Sequence, residues 1–401
     1  MAQDTQVAQA AKDLQGFRYL AQLHPLLQRL HDNGLDKVGN RRLFFDQYVA
    51  LLLLYFFNPI LTSLNALQQA TRLEKIQKLI GGGPFSLATL SAAQHAFDPA
   101  LLEGLLGELV ERIAPTELPK EWQDLRNLVA VDGSLLPGLP RMSWALWQDA
   151  HNRAAKMHVQ FEVLRGIPLH VDVTIGNGSE TDALRQRIAP GRLYVIDRGY
   201  AEYQLFQDII DGNSSFLGRL RDNAVWHVIE ERPVSAKAAE AGVRCDLKVK
   251  LGCEKSGKVF KQPLRVVAVD TGRLKTVRKP EVLFLATDKM DLDADLVALG
   301  YRFRWSIELF FRWIKRIIGL RHLLFESRRG VTIQVYVAFI ASLLISVRIG
   351  HKPTKRTYEM VCLFFQGWAT EQELEDHIAR LKASRRPHRR RASNPDGDPL
   401  P

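Results

Sequence analysis

The chain has 401 residues, which is enough for a large core and two or three domains of roughly 100 to 200 residues each. Its 55 Lys and Arg exceed its 44 Asp and Glu by 11, which favours a polyanionic partner such as nucleic acid, although a solvated basic surface on another enzyme gives the same balance. The three cysteines form no CxxC pair, which argues against a disulfide framework or a zinc ribbon and favours a reducing cytoplasm.

The first part of the chain reads as helical. Residues 1–16 contain acids and lack a long apolar core behind a basic start, so they do not resemble a secretory signal. From about residue 17 to 113, leucines recur at helical spacing without strand alternation, which predicts a helical N-terminal domain. The apolar runs Tyr48 to Phe57 and Val331 to Val347 are shorter or more polar than the ~20 apolar residues of a membrane span. We expect both to be buried core helices and expect no membrane partner.

Two helical segments in this region are separated by a Gly-Gly-Gly-Pro turn. They are Leu64 to Ile80 and Phe85 to Phe97, and Ser86 is placed to cap the second one. The arrangement permits a helix-turn-helix, and simple helix packing is the favoured alternative. The second segment has no Lys or Arg, which weakens its interpretation as a DNA recognition helix.

At Leu128 the pattern changes to short β-rich runs bounded by turn residues. The predicted strands and helices are Leu128 to Val131, Met157 to Val163, Ile167 to Ile175, the helix Glu180 to Ile188, Leu193 to Ile196, the helix Tyr200 to Ile210, and Phe216 to Leu220. Asp132 ends the first run and Asp197 ends the fourth strand, each before turn-type residues.

The interval 222–290 has a different character, with short apolar runs between Gly, Pro and Lys turns. Its predicted strands are Val225 to Ile229, Cys245 to Lys250, Leu264 to Asp270, and Glu281 to Leu285. We expect an inserted β subdomain that lengthens the chain between Asp197 and the next acid without separating the two in space.

The run YRFRWSIELFFRWIK follows this interval. At about 100° per residue, Tyr301, Arg304, Glu308 and Lys315 fall within a ~60° arc of one helix. One carboxylate and two cations therefore share a face. Together with the two strand-end aspartates, Glu308 predicts a metal cage.

These residues carry a family resemblance. Tyr301, Arg304, Glu308 and Lys315 match the pattern Tyr-x2-Arg-x3-Glu-x6-Lys, Asp132 lies in VDGS, and Asp197 lies in IDRGY. Residues from about 125 to 350 resemble a bacterial insertion-sequence transposase of the DDE type, in the subgroup with this signature.

The resemblance implies an α/β fold in which a ribonuclease H-like catalytic core is interrupted by a β-rich insertion and preceded by a helical N-terminal domain. The predicted divisions are a DNA-end-binding domain 1–124, a first core part 125–221, the insertion 222–290, a second core part 291–350 with the signature helix, and a C-terminal helical segment 351–401. The basic tail of this last segment serves dimerisation or DNA contact, or is a tolerated overhang.

Phosphodiester chemistry explains the acids. Asp132, Asp197 and Glu308 are expected to be the catalytic residues and to hold two Mg²⁺ per site, ~3.5–4 Å apart, with Mn²⁺ as a substitute. Two such ions activate the nucleophile, stabilise the leaving oxygen and neutralise charge on the phosphorus. Asp132 is expected to bridge the ions.

Four residues are candidates for DNA binding. Arg304 and Lys315 are placed to position a DNA strand, with an intrahelical ion pair from Arg304 to Glu308 as the alternative. Tyr301 either contacts phosphate or packs. In related transposases an aromatic residue of the insertion stacks on a flipped base, so Trp226 is a candidate for stacking, with core packing as its alternative. The strand histidines His158 and His170 are interpreted as structural.

The sequence therefore predicts a transposase that binds the terminal inverted repeats of its insertion sequence, cleaves there, and joins the 3′ ends to target DNA. The resemblance further implies a homodimer in a synaptic complex on double-stranded DNA, in the bacterial cytoplasm and at the nucleoid when bound to DNA. Two rival interpretations are an inactive DNA-binding derivative that inhibits transposition and a structure-selective ribonuclease H-like nuclease.

Overall fold

The computed structural model describes residues 24–31, 42–115, 117–145, 152–253, 258–271, 282–350 and 352–385. Four predictions concern residues outside these ranges. They are the absence of a secretory signal in residues 1–16, the leucine spacing before residue 24, the start of the predicted strand at Glu281, and the basic tail after Arg385.

Helices form both ends of the described chain. They are α1 His24–His31, α2 Phe45–Phe57, α3 Leu64–Ala70, α4 Glu74–Ile80, α5 Leu87–Ala96, α6 Ala100–Arg112, α7 Glu180–Arg185, α8 Tyr203–Asp211, α9 Ala236–Glu240, α10 Ala294–Phe303, α11 Trp305–Arg312, α12 Arg328–Ile349, α13 Lys355–Phe365 and α14 Glu371–Arg385. The predicted segment Leu64 to Ile80 is two helices, because Leu73 adopts an extended backbone between them. Ser86 caps α5 as predicted, accepting a hydrogen bond from the Thr89 amide at 3.0 Å.

The two apolar runs are buried helices, as predicted. Nearly every residue of α2 is buried, and α12 is also buried over most of its length. By length and composition α12 could cross a membrane, since its mean hydropathy is 2.0 over the most apolar 18-residue window, but 89% of that window is buried inside the fold. The packing of α12 against α2, α6 and β3 accounts for its apolar character.

Ten strands form one mixed sheet. They are β1 Leu128–Pro137, β2 Ala154–Glu162, β3 Ile167–Ile175, β4 Leu193–Ile196, β5 Ser215–Arg219, β6 Trp226–Arg232, β7 Val243–Cys253, β8 Lys258–Val259, β9 Leu264–Asp270 and β10 Val282–Thr287. Their order is β3-β2-β1-β4-β5-β10-β9-β7-β6, with β8 on β7. The strands β1, β4 and β5 are parallel, whereas β2 is antiparallel to both of its neighbours. Because β10 pairs with β5, the strands after residue 222 continue the same sheet.

The register of β1 and β4 places the two predicted aspartates side by side. Ala130 pairs with Val195, and two residues further along each strand are Asp132 and Asp197. Neighbouring strands lie about 4.8 Å apart. Asp132 does not end its strand, contrary to the prediction, because β1 continues beside β2 to Pro137, with Asp132 opposite Val159.

Helices cover both faces of this sheet, so the fold is mixed α/β. Alternate residues of β1 point to opposite faces. Leu128 and Ala130 belong to the larger core, which includes α2 and α12, whereas Val129 and Val131 belong to a second core with α7 and α8. Asp132 lies beyond these residues, next to the point where β4 ends at Ile196.

Candidate active site

The signature run does not form a single regular helix, contrary to the prediction. The segment comprises α10, α11 and a π-helical turn at Trp313–Ile317, with Arg304 between the two α-helices. In the π turn the Ile318 amide donates to the Trp313 carbonyl at 3.1 Å, an i to i+5 bond that changes the angular step from 100°. The predicted ~60° arc therefore does not extend to Lys315, and contacts with the sheet position the side chains instead.

Asp132 is a partly buried acid within β1. Its Oδ1 accepts a hydrogen bond from the Gly133 amide at 2.8 Å. Burial raises the pKa of Asp132 to about 6; Glu180 and Glu308 add to this rise, and the Gly133 amide and Arg304 oppose it. The first and third predicted acids therefore lie within electrostatic reach of each other.

Asp197 follows β4 and meets α10 directly. Its Oδ1 accepts hydrogen bonds from the Arg198 amide at 2.8 Å and from the Tyr301 hydroxyl at 3.0 Å. Burial and the Asp197 charge both raise the pKa of Tyr301, so the phenol stays protonated and keeps its donor role. Tyr301 thus links the first residue of the signature to the second acid.

Glu308 forms an ion pair with Arg304, which the sequence analysis gave as the alternative to DNA positioning by Arg304. Arg304 Nη2 donates to Glu308 Oε1 at 2.8 Å, and the Arg304 side chain is only 16% exposed. The charges of Asp197 and Glu308 favour the cationic form of Arg304, which in turn lowers the pKa of Asp132. Arg304 is therefore the cation shared by all three predicted acids.

Lys315 reaches β1 from the π turn. Its Nζ donates to Ser134 Oγ at 2.7 Å and to the Leu135 carbonyl at 2.5 Å. Burial lowers the pKa of Lys315, and Asp132 opposes this change. Lys315 is thus bonded two and three residues beyond Asp132, and its role in positioning DNA stays a prediction.

The remaining candidates lie away from the acids or have structural partners. Trp226 begins β6 and packs its ring against Phe284 with centroids 5.1 Å apart, and its stacking on a base also stays a prediction. His158 Nε2 is 2.8 Å from Thr174 Oγ1, and His170 Nε2 is 2.8 Å from Asp172 Oδ2. These histidines lie in strand contacts, in keeping with their interpretation as structural.

Sequence reasoning missed one acid. Glu180 opens α7, and its charge contributes to the raised pKa of Asp132. A Cβ atom added to Gly133 would lie 2.5 Å from Glu180 Oε1. The signal available in the sequence was an acid at the first position of the helix that follows the third strand.

The donor chemistry of the three predicted acids fits a hard divalent cation. Within the described part of the chain, no group of three or more Asp, Glu, His or Cys side chains has the spacing of a preformed metal site. One oxygen of each carboxylate is held by a protein donor, and the second oxygen makes no hydrogen bond to a described residue. Carboxylate oxygens with water and phosphate complete the shell that Mg²⁺ prefers.

Comparisons with known proteins find similarity to transposases. The family described as the transposase DDE domain matches residues 123–344. The protein y4zB of Sinorhizobium fredii, named as a transposase, is 28% identical over 221 residues, which are 54% of this chain and 59% of y4zB. A protein of Geobacillus stearothermophilus, named as a transposase for insertion sequence element IS5377, is 24% identical over 209 residues, which are 52% of each chain. The match thus spans between half and three-fifths of each relative's length.

A solved structure is also similar over much of the chain. It is a cryo-electron microscopy structure of a piggyBac transposase synaptic complex with hairpin DNA, with a TM-score of 0.41 and 10% identity. The likeness covers 83% of this chain and 76% of the other.

Proposed function

Because the chain belongs to the transposase DDE domain family, whose pattern matches residues 123–344, we propose that it is a DNA transposase of an insertion sequence. It binds the terminal inverted repeats of its element, cleaves the ends by phosphodiester hydrolysis and transesterification, and joins the 3′ ends to target DNA. Its finer assignment is to the subgroup with the Tyr-Arg-Glu-Lys signature, on the residues Tyr301, Arg304, Glu308 and Lys315.

One observation carries this proposal. Acids from three remote places in the chain lie within electrostatic reach of one partly buried guanidinium: Arg304 bonds Glu308 at 2.8 Å, and it interacts with the charges of Asp132 and Asp197. Acids clustered beside a cation, on β1, after β4 and on α11, suit a reaction that handles a polyanionic backbone. A structural ion pair alone gives no reason for three carboxylates at this point.

The strand order supports a ribonuclease H-like core. Three antiparallel strands, β3, β2 and β1, are followed across the sheet by parallel β4 and β5. In this proposal the core comprises 125–221 and 291–350, the insertion is 222–290, the N-terminal helices to residue 124 bind the DNA ends, and 351–401 contributes dimer or DNA contacts.

Asp132, Asp197 and Glu308 are the residues that would hold Mg²⁺, two ions per site, with Mn²⁺ as a substitute. When bound, these ions supply Lewis-acid neutralisation of the phosphate charge and a nucleophile at neutral pH. The chain's own residues orient the acids: Tyr301 fixes the Asp197 carboxylate, and Lys315 fixes the π turn on β1. Arg304 holds Glu308 without DNA and is placed to exchange that bond for one to a phosphate.

Double-stranded DNA is the partner, in a synaptic complex of two copies in the bacterial cytoplasm. Tyr301, Arg304, Lys315 and Trp226 are its proposed contacts. The homodimer follows from the need to cut two ends in concert.

Cleavage of a DNA fragment that carries the native element ends tests the proposal. With Mg²⁺, wild-type protein is expected to nick at the element boundary, and strand-resolved mapping of products locates the nick. D132N, D197N and E308Q are expected to cleave at least about a hundredfold more slowly while still binding the fragment. E202Q serves as the control, because Glu202 is 43% exposed and lies with Arg185 rather than with the acids.

The same experiment separates the rivals. A structure-selective nuclease would cut without regard to the repeats and would give no joined product, and an inactive derivative would bind the ends without cutting. Cleavage by D132N at the wild-type rate would contradict the acid assignment.

A further inference from the structure

Glu180 is a carboxylate beside Asp132 that the proposed mechanism leaves unused. It is the first residue of α7, whose start is fixed by Ser179, because the Ser179 side chain accepts from the Asp182 amide at 3.1 Å. The helix packs on β1 and β2, next to the strand position of Asp132. The connection from the end of β3 at Ile175 to α7 is short, and it places Glu180 at the site.

Two features fix the Glu180 carboxylate in this place. Gly133 makes room for it, since a Cβ there would lie 2.5 Å from Glu180 Oε1 and 2.9 Å from its Cδ. Lys156 holds it from β2, with Nζ 3.2 Å from Oε1, and Lys156 Nζ also donates to the Gly178 carbonyl at 3.1 Å. Lys156 is 15% exposed and Glu180 32%, so the pair is partly shielded from solvent. Glu180 thus lies directly beside the residue that follows Asp132.

An unpartnered hydroxyl points to a ligand between these acids. Tyr200 is 1% exposed, and its hydroxyl makes no hydrogen bond to any described residue. The turn that carries Asp197 also places Tyr200, whose amide donates to the Asp197 carbonyl at 3.0 Å. Burial raises the pKa of Tyr200, and so do the charges of Glu180, Asp132 and Asp197, which are within electrostatic reach of the hydroxyl. Buried polar groups without a partner are rare and need an explanation.

We propose that Glu180 is a fourth carboxylate of the site and binds a divalent cation together with Asp132, while the Tyr200 hydroxyl donates to the hydration shell of that cation. The proposal rests on the proposed function, because it concerns the same site. Tyr200 acts through the hydration shell and is a positioning residue.

A structural role for Glu180 makes a different prediction. If its ion pair with Lys156 only ties α7 to β2, loss of the carboxylate lowers stability and leaves cation affinity unchanged in the folded protein. Cation affinity, measured without DNA, therefore distinguishes the two roles independently of activity.

Isothermal titration of the full chain with Mn²⁺ tests the proposal, with circular dichroism as the check on folding. E180Q is expected to bind Mn²⁺ at least about tenfold more weakly or to lose one of two binding events, as is typical when a supporting group of a metal site is removed. Y200F is expected to bind about two- to fivefold more weakly, with an unchanged or higher Tm, since it removes a hydroxyl without a protein partner. E202Q, on a neighbouring segment, is expected to bind as wild type does.

D132N distinguishes this inference from the proposed function. Suppose that D132N loses Mn²⁺ binding while folded E180Q and Y200F bind it as wild type does. The assignment of Glu180 as a cation ligand is then overturned, and the proposed function stands. If D132N itself binds Mn²⁺ normally, the cation site of the proposed function fails. Should E180Q not fold, Y200F decides alone, because it preserves the shape of the buried ring, and unchanged affinity in folded Y200F overturns the proposal.

Discussion

At the scale of single residues, the site combines partly buried acids with a small number of hydrogen-bond donors. Asp132 stands where burial and neighbouring carboxylates oppose ionisation, whereas Asp197 receives hydrogen bonds from Tyr301 and the Arg198 amide. Arg304 offsets part of the excess negative charge. Without metal, the site therefore stores unfavourable electrostatic energy that a bound cation would relieve.

We expect D132N to be more stable than the wild-type protein at pH 8 in a chelator, by about 2–3 kcal/mol, and equally stable near pH 4. The folded-state pKa of Asp132, about 6, lies above its ordinary 3.8. Between these values the folded state binds more protons than the unfolded state, so wild-type stability falls as pH rises through this window. Asn does not titrate, so D132N lacks this loss.

Urea unfolding from pH 4 to pH 8 measures the effect. D211N is the control, because Asp211 is exposed on α8 and its replacement is expected to change stability little at any pH. If D132N and wild type differed in stability by the same amount at pH 4 and pH 8, the raised pKa of Asp132 would be contradicted.

At the scale of elements, a buried ion pair joins the strands after residue 222 to the start of α10. Arg265 of β9 donates to Asp246 of β7 at 2.8 and 2.7 Å, and both side chains are at most 4% exposed. Arg265 also donates to the carbonyl of Leu292, in the loop just before α10. The sheet extension therefore fixes the approach of the chain to Tyr301 and Arg304.

Replacing Arg265 by Met is expected to destabilise the protein by about 3–5 kcal/mol, because it leaves the Asp246 carboxylate buried and unpaired. R244M is the matched control: Arg244 and Asp270 also join β7 to β9, but Arg244 is 54% exposed, so its loss is expected to cost less than about 1 kcal/mol. Chemical denaturation measures both. Equal effects of R265M and R244M would show that burial does not govern this pair.

At the scale of the whole molecule, the N-terminal helices pack directly on the end of the core. Gln94 of α5 accepts from the amides of Glu326 and Ser327 at 3.2 and 2.9 Å. Gly330, in the first turn of α12, lies so close that a Cβ there would be 2.8 Å from Gln94 Cβ and 2.7 Å from Phe325 Cβ. This contact sets the N-terminal helices against α12, which in turn packs beside the π turn.

Gly330→Ala is expected to lower the free energy of unfolding by about 1–3 kcal/mol, because a methyl group has no room between two well-packed side chains. Gly104→Ala provides the control: Gly104 lies inside α6 with no atom within 4 Å of its added Cβ, so alanine there is expected to stabilise by about 0.5–1 kcal/mol. Thermal and urea unfolding compare the two variants. If Gly330→Ala left stability unchanged or raised it, the contact of Gly330 with Gln94 and Phe325 would not be tightly packed.

The sequence by itself determined the features that depend on near neighbours. The bounds of β3, β4 and β9 match their predicted runs, because strand alternation and turn residues act over a few positions. The Ser86 cap and the two buried apolar helices follow for the same reason. The spacing of the signature was equally local, so the acids could be named before their positions were known.

Only the tertiary structure decided which distant groups meet. Glu180 lies beside Gly133 because strand pairing and the packing of α7 join segments 47 residues apart, and no local pattern encodes that approach. Lys315 bonds to β1 through a π turn, which helical periodicity did not predict because its geometry follows from packing between α11 and the sheet. The pairing of β10 with β5, which extends the sheet beyond the core, likewise depends on contacts between strands far apart in the chain.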